Sequence, residues 1–219
     1  ITDKGIGNGV SMLIMIGIVS SLPQAIVAEA LSRGTRGALV LLIEMVVLFF
    51  IVLLVVLFTQ ATRKVPVQYA KQMVSAATYG GRRQYIPLKL NTSGVMPIIF
   101  SQSLMFLPGL IAPLWADKSD WAAAIGRVFS DFTTWQYNVT FGILIVVFTF
   151  FYTAITINPT QIADDMKRNN GFIPGVKPGK ATAAFLDHVL SRITLPGSIF
   201  LALIAILPAF AHTAGMALS

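Results

Sequence analysis

Apolar residues gather into five long stretches, roughly 10–31, 38–60, 94–115, 138–157 and 190–211. Each is near the ~20 residues that cross a ~30 Å hydrocarbon core as a helix. The pattern predicts an all-α polytopic membrane protein with five transmembrane helices, whose odd number puts the two ends of the chain on opposite sides. The first, third and fifth stretches contain Pro23, Pro97 with Pro108, and Pro196 with Pro208. A proline inside a helix deletes a backbone donor and kinks the axis, and lipid cannot replace the lost partner, so these three helices are expected to pack inside a bundle. The organisation read from the pattern is 1–60, two spans with a short outer loop; 61–93, a basic loop; 94–157, two spans with an outer loop; 158–189, a second basic loop; and 190–219, the last span and an outer end.

Charge fixes the orientation. Only 11% of residues are charged against 55% hydrophobic, about half the ~25% charged residues of soluble domains. Basic residues cluster at Lys4; at Arg63, Lys64, Lys71, Arg82, Arg83 and Lys89; and at Lys167, Arg168, Lys177, Lys180 and Arg192. The alternate side holds only Arg33, Arg36, Lys118 and Arg127. The positive-inside rule then places residues 1–5, 61–93 and 158–189 in the cytoplasm. A net charge of +7 therefore reports orientation before it reports nucleic-acid binding. The opening residues carry no initiator Met and no signal-peptide pattern, and read as the interior of a longer chain.

The 61–93 loop holds six basic residues, no acid, and turn residues Gly80, Gly81 and Pro87. Its Val-Pro-Val-Gln-Tyr-Ala run and Gly-Gly-Arg-Arg-Gln-Tyr turn predict a short β-hairpin. Catalytic and metal signatures are missing. There is no cysteine, no phosphate-binding loop and no hydrolase elbow, and His188 and His212 are separated by a span, so no metal site, cofactor or enzymatic activity is expected. Glu44 is the one ionisable residue placed well inside a predicted span. It supports a rival reading, a secondary transporter with Glu44 as its coupling-ion site, although six residues of helix, ~9 Å, from the span's outer end it can also reach the interface.

Short motifs occur in order along nearly the whole chain: Gly5-Ile6-Gly7-Asn8-Gly9 before a helix with Leu22-Pro23; Val67-Gln68-Tyr69-Ala70-Lys71; Gly81-Arg82-Arg83; Leu88-Lys89-Leu90-Asn91 leading into Gly94-Val95-Met96-Pro97-Ile98-Ile99-Phe100; Phe150-Phe151-Tyr152-Thr153; Asn158-Pro159; Phe172-Ile173-Pro174-Gly175-Val176-Lys177-Pro178-Gly179; and Ile206-Leu207-Pro208. This series resembles helices five to nine of the ten in the SecY family, the channel subunit of the bacterial Sec protein translocase. One departure is Lys177, where the bacterial family usually carries Arg, so that positive charge is kept and the bidentate fork is not.

The resemblance implies an hourglass pore in the bacterial plasma membrane, closed at its waist by aliphatic side chains. Ile14 and Ile99 would be ring positions. Val10 and Ser103, four residues away on the same helical faces, would line the adjoining pore. Gln102 would latch a lateral gate through which signal sequences reach lipid. The two basic loops, with Arg82, Arg83 and Lys177, would dock the ribosome and the SecA motor, the partner to which ATP hydrolysis belongs. SecE- and SecG-type small subunits, a signal-peptide-bearing polypeptide and the bilayer complete the implied partners.

Overall fold

The computed structural model describes residues 9–33, 37–69, 83–115 and 120–218. They form α1 (Gly9–Arg33), α2 (Ala38–Gln60), β1 (Thr62–Tyr69), β2 (Arg83–Lys89), α3 (Met96–Trp115), α4 (Asp120–Ser130), α5 (Trp135–Thr156), α6 (Pro159–Arg168), β3 (Gly171–Phe172) and α7 (Lys180–Leu218). The five apolar stretches form the helices α1, α2, α3, α5 and α7. Four of these are long and apolar enough to cross a membrane, and α3, at 20 residues, is the shortest. The chain divides into two compact units, residues 1–57 and 58–219.

In the first unit α2 buries no residue, and Leu48, Phe49, Phe50 and Leu57 lie open around its circumference. A helix apolar on all sides is stable in hydrocarbon, not in water. Glu29 on α1 and Glu44 on α2 line one groove of about 330 Å³, together with Leu22, Ala25, Leu41 and Met45. Glu44 is thus not the only carboxylate in this region of the spans; Glu29 lies near the end of its stretch, where hydropathy makes it look like a boundary residue.

The second unit holds two cores. In the first, Met105 of α3, Phe141 and Ile145 of α5, and Leu201 and Ala202 of α7 close on one another, binding three spans into a bundle. The second joins the two basic loops. β1 pairs antiparallel with β2, with Val65 opposite Ile86 and Pro66 opposite Tyr85. β3, from the other loop, adds to β1 at Gln68 and Tyr69, giving the order β2-β1-β3. Val65, Val67 and Leu88 on the inner face of this sheet bury against Met166 of α6, Ile173, and Leu186, Val189, Leu190 and Ile193 of α7. The predicted hairpin is therefore part of a packed platform built from both loops.

Three elements depart from the sequence expectation. The outer loop contains α4, whose Asp120 and Arg127 complement the helix dipole at its two ends and whose Ala122 is buried. The second basic loop contains α6, started by Asn158, whose Oδ1 accepts from the N–H groups of Thr160 (3.1 Å) and Gln161 (3.4 Å), with Pro159 at the first position. Lastly, α7 begins at Lys180, ten residues before the apolar stretch. Its 39 residues span about 58 Å at ~1.5 Å each, so its first turns serve the platform and its later ones the membrane. Pro97 also differs from expectation: as the second residue of α3 it stands where a helix lacks an N–H partner anyway, and it starts that helix without kinking it.

Candidate functional site

The positions expected along a pore divide between the units. Val10 and Ile14 occupy successive turns of α1 in the first unit, 56% and 41% exposed. Ile99 and Ser103 occupy successive turns of α3 in the second, half-buried and exposed respectively. Each pair presents a surface not covered within its own unit. Ser103 Oγ donates to the Ile99 carbonyl at 2.9 Å, and the buried Ser101 Oγ to the Pro97 carbonyl at 2.7 Å. Each of these hydroxyls meets its need on its own helix. Gln102 is exposed and lines a groove of about 750 Å³ with Met105, Phe106, Phe129, Phe132 and Tyr137, so its amide faces open space beside α3.

The second candidate surface is the platform. Because Val65 and Val67 point into the core, the alternate residues of β1 and β2 take the opposite face: Lys64 across from Pro87, Pro66 from Tyr85, Thr62 from Lys89. Tyr85 is 54% exposed, and Lys64 and Lys89 are exposed beside it. Arg83 opens β2, opposite Gln68; Arg82 lies outside the described residues. Lys177 is exposed in a turn between β3 and α7. Gly175 and Gly179 flank it at φ 86° and 95°, a region an L-residue with a side chain rarely enters, so both glycines are required there. The Lys177 carbonyl accepts from Thr182 Oγ1 at 2.9 Å, and Ile173 is buried at the other end of the turn. Lys177 thus stands on the same body as the hairpin, although 94 residues separate it in sequence from Arg83. The alternating Val-x-Val and the Asn-Pro-Thr cap were readable signals of this platform; the pairing of β3, only two residues long, was not.

At the opposite end of the second unit, Asp131 precedes α5. Thr133 donates its hydroxyl (2.6 Å) and its N–H (2.9 Å) to Asp131 Oδ1. Those bonds, with the nearby His212, hold the Asp131 carboxyl below its ordinary value of 3.8. The His212 ring meets Phe132 edge-on at 5.3 Å.

Comparison with known proteins then gives a consistent result. The SecY family model matches residues 1–219. The chain is 46% identical over 216 residues to the protein translocase subunit SecY of Mycobacterium leprae, covering 95% of this chain and 48% of that protein. It is 44% identical over 216 residues to that of Streptomyces coelicolor and 43% over 212 residues to that of Streptomyces galbus, with 96% of this chain and 48% of each relative covered. The chain spans about half the length of these relatives.

Proposed function

The chain belongs to the SecY family, and from that premise we propose that it forms part of a protein-conducting channel of the bacterial plasma membrane, passing unfolded secretory polypeptides across and releasing membrane segments sideways into lipid. The observation that carries this reading is similarity to translocase subunits over the whole chain. Ile14 and Ile99 form part of the waist. A ring of branched aliphatics excludes ions because a narrow apolar constriction dewets, yet its side chains give way around a polypeptide. Val10 and Ser103 extend the pore wall, and Gln102, on the open side of α3, latches the lateral gate.

The platform is the docking surface. Its basic residues face the cytoplasm, where Arg82, Arg83 and Lys177 meet ribosomal RNA phosphates or the SecA motor, and such contacts weaken with salt. SecE- and SecG-type subunits complete the complex, and the chain itself has no catalytic role. The transporter reading, with Glu44 as an ion site, draws no support from the family to which the chain belongs.

The test uses the full-length protein in its complex, engaged with a stalled secretory polypeptide. A photoreactive residue at position 14 or 99 should crosslink to the polypeptide, whereas one at Phe50 of α2 should reach lipid only. Equal labelling from all three positions contradicts the pore assignment. In the same complexes, Arg82→Glu with Arg83→Glu should weaken ribosome or SecA binding at low salt, and unchanged binding contradicts docking.

A further inference from the structure

We infer that Gly197 of α7 is a positioning residue for α3, its missing side chain giving the Leu90 carbonyl a seat against α7 and so fixing the point from which α3 leaves the sheet. A Cβ at Gly197 would stand 2.7 Å from the Leu90 oxygen and 3.6 Å from its carbonyl carbon. That is closer than real Cβ contacts come, and the obstacle is backbone, which cannot rotate aside as a side-chain end does. At Gly142 of α5, by contrast, an added Cβ would meet side chains alone, the Ile206 Cδ1 terminus at 3.1 Å and the Ala202 Cβ at 3.9 Å.

Leu90 is held on both sides of this seat. Its N–H donates to the Ala61 carbonyl at 3.1 Å, closing the base of the hairpin, and its side chain packs against the platform core. The turn beyond it is short and ordered. Asn91 Oδ1 accepts the Gly94 N–H at 3.0 Å, and the Val95 carbonyl accepts from Ile98 (3.1 Å) and Ile99 (3.3 Å), opening α3. Sheet, α6 and the start of α7 share one core, whereas α3 packs chiefly on α4 and α5. α3 therefore joins the platform at one end, and Leu90 on Gly197 is the fixed point of that joint. The inference rests on the proposed reading in which α3 is a gate wall carrying Ile99: nine residues separate that ring position from Leu90, so a load on the docking platform reaches α3 through this contact.

Gly197→Ala in the full-length protein, assembled with its partner subunits, separates this role from ordinary helix stability. Alanine is the better helix former, so helix propensity alone predicts equal or slower amide exchange throughout. The seat predicts the opposite sign at the joint: exchange about tenfold faster over residues 90–99, with α7 unchanged or more protected, and a raised ion leak of the resting channel. Gly142→Ala should change neither. Unaltered exchange at 90–99, or acceleration spread along all of α7, overturns the inference. Faster exchange confined to 90–99 with no change in leak supports the seat and counts against the pore reading of Ile99. Where Gly197→Ala fails to assemble, Asn91→Ala serves: it should loosen 91–99 and leave the Leu90 amide protected, and loss of that protection would overturn the claim.

Discussion

Several hydroxyls within the spans meet their hydrogen-bonding needs on their own helix. Thr149, Thr153, Thr194, Ser101 and Ser103 donate to the carbonyl four residues back at 2.6–2.9 Å, so these residues add little that glues helix to helix. Asp131 is different, because its partner lies ahead of it, where α5 begins. A carboxyl whose folded pKa is lowered adds stability above its unfolded value and loses it as pH falls through the folded one. Asp131→Asn should therefore speed amide exchange at residues 133–137 at pH 7, while wild type and variant converge only below the ordinary carboxylate range. Identical exchange at pH 7 would show that the Thr133 bonds do not order this turn. Pore and gate roles for Ile14, Ile99 and Gln102 rest on motif and helical face alone; the place of Glu44 inside the second span was legible in sequence. Glu29 was not, because hydropathy shows where a carboxylate lies along a span and not which helix lies beside it.

Among the elements, the spans were the legible part, because ~20 apolar residues in a row have few other uses. The helices between them were not. α6 and α4 are short and amphipathic, so they average to ordinary loop composition, and the first turns of α7 were hidden by Asp187, His188 and Arg192. What places those turns in a helix is packing. Leu186 is fully buried and Val189 7% exposed, against Val65 and Val67 of β1. Leu186→Ala should cost the platform about 2–5 kcal/mol through the lost methyl groups and the cavity left behind. It should accelerate exchange in β1, β2 and the 171–176 turn while sparing the α3–α5–α7 core around Ile145. Uniform protection in the variant would mean that the two basic loops are independent after all.

For the whole molecule, the family and the long apolar helices could be read from sequence, whereas the joining of the two basic loops into one sheet required the structure. A strand of two residues carries no periodicity, and its partner lies about a hundred residues away in the chain. The platform gives the docking proposal one packed body in place of two separate solvated loops, with Lys64, Tyr85 and Lys89 on its open face. The pore proposal rests on two isoleucines in different units, and its consequence is electrical. An apolar waist is closed because water leaves it, so Ile14→Ser or Ile99→Ser should wet the constriction. Folding should suffer less than at a packed core site, since neither side chain is buried. The most direct measurement is single-channel conductance of the full complex without substrate, comparing these two variants with Ile43→Ser on the open surface of α2. A resting ion leak is expected in the first two and none in the third; equally closed channels in all three would contradict an apolar waist at Ile14 and Ile99.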